Sequence, residues 1–247
     1  MKIEYCGLTD IGKVRKINQD SILMCSNKIG GLFVVADGMG GHSAGERASF
    51  IITQNLESWW KSMEMHFREK DFEELIQSVI NCLQRANYDI YSRYNNVQIC
   101  GSTVVALLIC GKKYCCITCG DSRIYQLKWW KLKQLSVDDV WESRQEIQQN
   151  YTIEQIKKHP NYGKLLTAVG IGKELKARVT IGRVYRNQKF LLCSDGLYKM
   201  VFTKDVKQAL KTFRNSTQGK KVLDNLCKKV YQGGGNDNCS IILVRCF

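Results

Sequence analysis

The sequence predicts an α+β fold, with β-sheet at the centre and helices packed outside it. Three observations point there. Short apolar runs rich in Val, Ile, Leu and Cys recur along the chain at strand length. Two long helical patterns interrupt them after residue 44, and two more precede a last apolar run at the C-terminus.

The elements follow in order. Ser21 to Cys25 and Gly31 to Ala36 read as strands, the second ending in Asp-Gly. Ala48, Ile52, Leu56, Trp59 or Trp60 and Met63 then recur at helical spacing, as do Phe72, Leu75, Ile76, Val79, Leu83, Ala86 and Ile90. These stripes are core faces. Strands resume over Thr103 to Cys110, Tyr114 to Cys119 and Ile124 to Leu127, where Lys128-Trp129-Trp130-Lys131 forms a hairpin tip. Its aromatics beside lysines suit docking of a partner, or one ring packs back on the sheet. Residues 136–162 turn polar and glutamine-rich, the composition of an insertion over a site. Strands at Ala177 to Val184 and Lys189 to Cys193, helices at Thr203 to Phe213 and Gly219 to Tyr231, and a strand at Ser240 to Arg245 complete the chain. No Pro/Gly/Ser linker divides it, so residues 1–247 read as one domain.

Composition narrows the function classes. The charge is 37 − 23 = +14, but the basic residues are scattered pairs such as Lys157-Lys158 and Lys220-Lys221. That pattern describes a lysine-rich surface suited to acidic, phosphorylated partners rather than a nucleic-acid track. The polar start lacks a signal-peptide core, and no apolar run reaches the roughly 18–20 residues of a membrane span. A cytoplasmic protein without membrane or nucleic-acid partners is expected. Most of the 12 cysteines lie in apolar runs and read as small buried hydrophobes. Cys116-x-x-Cys119 has no second pair to complete a zinc knuckle.

The chemistry lies in acidic positions that share one format. Asp37-Gly38, Asp121-Ser122, Asp195-Gly196 and Asp237-Asn238 stand beside apolar runs, and Asp20 precedes another. Any one of them is ordinary turn chemistry. As a set, carboxylates gathered at strand ends repel one another unless a cation neutralises them. An all-oxygen site suits Mg²⁺ or Mn²⁺, and three histidines in the chain are too few for a histidine-rich zinc site. Arg15 offers a planar charged fork for phosphate.

Arg15…Asn18-Gln19-Asp20-Ser21, Ala36-Asp37-Gly38-Met39-Gly40-Gly41-His42, Gly101-Ser102-Thr103, Gly120-Asp121-Ser122-Arg123, Ser194-Asp195-Gly196-Leu197 and Asp237-Asn238-Cys239-Ser240 occur in order from end to end. The set resembles a bacterial-type member of the metal-dependent (type 2C, PPM) serine/threonine protein phosphatases. The resemblance implies a four-layer αββα sandwich: two packed antiparallel sheets flanked by helix pairs, with 136–162 as a flap. It implies two Mn²⁺ or Mg²⁺ ions bridged by Asp37, completed by Asp195, Asp237 and the Gly38 carbonyl. Asp20 would act through water and Asp121 at a third, weak site, while Arg15 would bind phosphate. It further implies phosphoprotein substrates, a cognate Ser/Thr kinase, a monomer, and hydrolysis by a water that the cations acidify. Gln19 stands where many relatives carry Glu. Lys199 stands where the family often places an acid, so its ammonium either substitutes for the third cation or points to solvent. His42 is a general acid or an outer-shell group, and Asn238 an outer-shell group. The competing readings are a degenerate phosphoprotein-binding module and, from charge alone, a nucleic-acid binder.

Overall fold

The computed structural model describes residues 2–41, 44–63, 71–94 and 99–247. Two antiparallel sheets lie face to face. One comprises, in spatial order, β1 (Ile3–Asp10), β11 (Cys239–Cys246), β10 (Lys189–Cys193), β7 (Arg123–Lys128) and β8 (Lys131–Gln134). The other comprises β2 (Asp20–Ser26), β3 (Gly30–Gly40), β5 (Val104–Cys110), β6 (Lys113–Cys119) and β9 (Arg178–Arg183), with the short β4 (Cys100–Ser102) on β3.

Period-two alternation builds the layers, because successive strand side chains face opposite ways. In β3, Phe33 and Val35 enter the space between the sheets, while Leu32, Val34 and Ala36 face outward. In β10, Phe190 and Leu192 point inward and Leu191 and Cys193 outward. Both faces are apolar because both are covered. The outer face of the β3 sheet carries α1 (Ala44–Met63) and α2 (Phe72–Tyr94), whose buried stripes match the spacing read from the sequence. On the other sheet lie α6 (Thr203–Thr212) and α7 (Ser216–Gln232). The result is the four-layer αββα sandwich.

The same alternation settles the cysteines. Cys115 and Cys116 lie in separate cores, and all 12 are free thiols. Burial pushes the Cys115 thiol up to about 12 and Cys119 up to about 11, so neither is a poised nucleophile.

Beyond β1 and β4, which the sequence reading does not assign as strands, four details differ from it. Asp37-Gly38 is no turn: β3 runs through it to Gly40, because β4 pairs with Gly38, Met39 and Gly40. The strand expected over Thr103 to Cys110 starts at Val104, since the Thr103 N–H donates to the Asp37 carbonyl instead of a ladder partner. Asp195 opens a one-turn helix, α5 (Asp195–Tyr198). The stretch between β8 and β9 outruns residues 136–162, reaching Ala177, and holds two short helices, α3 (Gln145–Asn150) and α4 (Ile153–Lys158). Trp141 stacks on His159 with centroids 4.0 Å apart, fixing that lobe from within. No helix among the described residues is long and apolar enough to cross a membrane.

Candidate active site

Strand register brings the acids together. Asp20 and Asp37 are direct partners on β2 and β3. Asp195 follows β10, Asp237 precedes β11, and those strands are neighbours in the other sheet. Gly196 packs so closely on the Asn238 carbonyl that a Cβ there would lie 2.0 Å from it, which locks the two acidic segments side by side. Asp121 sits in the β6–β7 turn, where Gly120 takes φ +94°. The end of the sandwich thus holds a cavity of about 260 Å³ lined by Arg15, Asp37, Gly38, Asp121, Asp195, Lys199 and Asp237, with Gln19 and Asn238 at its wall. Gly163 and Leu165 border it from the β8–β9 stretch.

Each group has a defined setting. Asp37 is clamped through its backbone: its N–H donates to Thr103 Oγ1 (3.2 Å), and its carbonyl accepts from Ser102 Oγ (3.0 Å). Burial, then the like charges of Asp20, Asp195, Asp121 and Asp237, hold its carboxyl well above the usual range. Asp20 is 7% exposed. Its Oδ2 accepts from Ser194 Oγ at 2.7 Å, while Oδ1 is buried without a hydrogen-bond partner. Burial pushes Asp20 up to about 7, against the pull of Ser194. Asp121 accepts from the Tyr198 hydroxyl at 2.8 Å and is raised by burial and by Asp195. The Arg123 guanidinium lies 3.5 Å over the Tyr198 ring and grips Asp138 at 2.6 Å.

Two carboxylates are met by cations of the chain itself. Arg15 Nη2 donates to Asp237 Oδ2 at 2.8 Å, with half of its side chain exposed. Lys199 Nζ lies 2.5 Å from Asp195 Oδ2 and lines the cavity rather than leaving it for solvent. Burial works against the Lys199 charge, but Asp195 outweighs it and raises the pKa. Gln19 and Asn238 bind backbone. The Asn238 side chain accepts from Gln19 N–H (2.9 Å) and donates to the carbonyls of Ile11 and Ile17, pinning the loop that carries Arg15. His42 lies outside the described residues.

The donor set fits hard divalent cations. It is all oxygen, it holds more carboxylates than local cations, and it contains a buried carboxylate oxygen with no partner. Among the described residues no three acidic, histidine or cysteine side chains form a closed ligand cluster. Arg15 and Lys199 each hold one of the cavity's carboxylates in an ion pair.

The profile of the protein phosphatase 2C family matches residues 13–228. The chain belongs to that family. It is a serine/threonine-type phosphoprotein phosphatase, and the family works with Mn²⁺ or Mg²⁺. A relative from Listeria monocytogenes, serine/threonine phosphatase stp, is 30% identical over 240 residues, 96% of this chain and 93% of that one. The phosphatase PstP of Mycobacterium tuberculosis is 26% identical across 98% of this chain, which spans 44% of that longer protein. The solved S. agalactiae serine/threonine phosphatase superposes with a TM-score of 0.86 at 26% identity, covering 98% of this chain and 99% of that one. The PstP catalytic domain, solved in complex with two manganese ions, gives 0.79 at 26%, covering 98% and 97%.

Four residues of this phosphatase's site carried no assigned role in the sequence reading. Ser102, Thr103, Ser194 and Tyr198 each bind an acid or its backbone. Ser102, Thr103 and Ser194 lie inside the quoted motifs. Tyr198 follows one and carries no local signal, because its link to Asp121 spans 77 residues.

Proposed function

We propose that this phosphatase hydrolyses phosphoserine and phosphothreonine in proteins at the Asp37 cavity, using residues 1–247 as a single catalytic unit with 136–162 as its flap. Asp37, the Gly38 carbonyl, Asp195 and Asp237 would hold two Mn²⁺ or Mg²⁺ ions, Asp20 would act through water, and Asp121 would serve a third, weaker site. When bound, such ions supply an activated water and positive charge toward phosphoryl oxygens.

The chain's own groups do the rest. Arg15 stands at the mouth with one N–H on Asp237, leaving other guanidinium donors for phosphoryl oxygens. The Ser194 hydroxyl fixes Asp20, so the free Oδ1 keeps one direction for a water. Thr103 and Ser102 hold the Asp37 backbone, so the carboxylate needs no reorganisation as charge develops. Gly163 and Leu165 add to the cavity wall from the β8–β9 stretch. A phosphoserine reaches such a site only after a kinase has made it, so a cognate Ser/Thr kinase belongs to the proposal, as do a cytoplasmic setting and a monomer.

The observation that carries this reading is the convergence of Asp37, Asp121, Asp195 and Asp237 beside Arg15 in one cavity. The test is phosphopeptide hydrolysis across a Mn²⁺ titration, wild type beside Asp195→Asn. Turnover that rises with metal and collapses in the variant supports it. Equal rates in both proteins would end it.

A further inference from the structure

A second concave site lies at the far end of the β1–β8 sheet. Along β10 and β11, Cys193 and Cys239 mark the Asp37 end, while Lys189 and Arg245 mark the opposite end. There a groove of about 450 Å³ is lined by Trp129, Trp130, Arg186, Lys211, Arg214 and Arg245, among others, and among the described residues no acidic side chain lines it.

Its tryptophans are placed against local preference. Lys128 and Lys131 pair across the hairpin, so Trp129 and Trp130 are the two central residues of its turn. Both take positive φ, +46° and +69°. A two-residue turn of this kind favours Asn-Gly, and a bulky L-residue is strained in it. Nor does burial explain them, for they are 72% and 73% exposed. Neither ring is buried in the sheet core. Trp129 leans on Tyr185 (centroids 5.6 Å apart), with Lys128 Nζ 3.5 Å over the Tyr185 ring, and Lys211 Nζ stands 5.6 Å from Trp130.

The floor sets basic groups on backbone carbonyls, and burial, then the like charges of Arg245 and Arg214, lowers Lys189 to about 8. Lys189 is buried and donates to the carbonyls of Leu210 (2.6 Å) and Lys211 (2.9 Å). Arg245 donates to the Arg214 carbonyl and to Asn187 Oδ1 (2.7 Å). Arg186, Lys211 and Arg214 remain exposed around the rim.

We propose that this groove is a docking site for a short acidic segment of a protein partner, its carboxylates on Arg186, Lys211 and Arg214 and its apolar side chains on the two indole rings. Charge complementarity selects an anionic occupant. The concave shape and the indole ring leaning on Tyr185 select a peptide over a lipid surface, which calls for side chains that project. The site is separate from the catalytic cavity and stands whether or not the proposed reaction there is right.

The test reads binding without turnover. A fluorescein-labelled ten-residue peptide of Asp, Glu and Leu is titrated with the full chain, followed by anisotropy at two salt concentrations. The expected result is saturable, salt-weakened binding, reduced about tenfold or more in both Lys211→Glu/Arg214→Glu and Trp129→Asn/Trp130→Gly. The second variant installs the preferred turn, so its Tm should hold or rise while binding falls. Hydrolysis of a small aryl phosphate should be unchanged in both. Equal peptide binding in wild type and variants would overturn the proposal. So would tighter binding, through these same residues, of phosphatidylglycerol vesicles or of a single-stranded oligonucleotide.

Discussion

Lys199 and Asp20 show how single groups set the metal dependence. Lys199 stands on Asp195 as a tethered cation, in competition with any ion that needs that carboxylate. A half-exposed pair of this kind is worth up to about 1 kcal/mol, or roughly a fivefold change in an equilibrium. Lys199→Met should therefore lower the Mn²⁺ concentration for half-saturation about two- to fivefold, seen both by calorimetric titration and in the rate; an unchanged titration would remove Lys199 from the account. Asp20 sets a pH dependence. Its pKa in the fold, about 7, lies above that of an unfolded aspartate, near 3.9. The metal-free fold thus binds more protons than the unfolded chain between about pH 4 and 7. This contribution to stability is complete below pH 4 and is lost as pH rises through 7. Thermal melts in EDTA should show Tm falling over that window, and saturating Mn²⁺ at pH 8 should restore it. A metal-free Tm that rises from pH 5 to 8 would contradict this assignment.

At the scale of elements, the site depends on strands that run into it and on close backbone contacts between them. Gly38 is the sharpest case: a Cβ there would meet the Gly45 carbonyl at 2.0 Å and that of Gln19 at 2.6 Å, where α1 and the β1–β2 loop close on β3. Gly38→Ala should cost about 1–3 kcal/mol of stability, roughly 3–10 °C in Tm, and most of the activity. A melt and rate equal to wild type would show that this contact has slack. Elements with a clean period were legible from sequence: β3, β5, β10 and both long helices follow their apolar stripes. β1 escaped because IEYCGLTD mixes polar and apolar residues on an edge strand where only Cys6 is buried. Asp37-Gly38 was misread as a turn because Asp-Gly is turn chemistry locally, and the partner that keeps it extended, β4, lies more than 60 residues away. Local signals do not carry such pairings.

Across the whole molecule, the two sheets form one end that gathers acids and another that gathers cations around exposed indoles. The acids were legible as a set because they recur in order along the chain. Their present partners were not, since the Arg15–Asp237 pair joins residues 222 apart and Tyr198–Asp121 joins residues 77 apart. That distribution explains how a chain of charge +14 presents a cation site: the excess positive charge stands elsewhere, and the cavity retains four aspartates against Arg15 and Lys199. Asp37 is the member that the other carboxylates repel and that Thr103 and Ser102 hold by its backbone. The most direct measurement is therefore phosphopeptide hydrolysis by wild type and Asp37→Asn in saturating Mn²⁺ and again in EDTA, with Mn²⁺ binding followed in parallel. The account predicts turnover in wild type only with metal, and a loss of at least about a hundredfold in the variant together with weakened Mn²⁺ binding. Turnover that survives EDTA, or an Asp37→Asn protein as active as wild type, would contradict it.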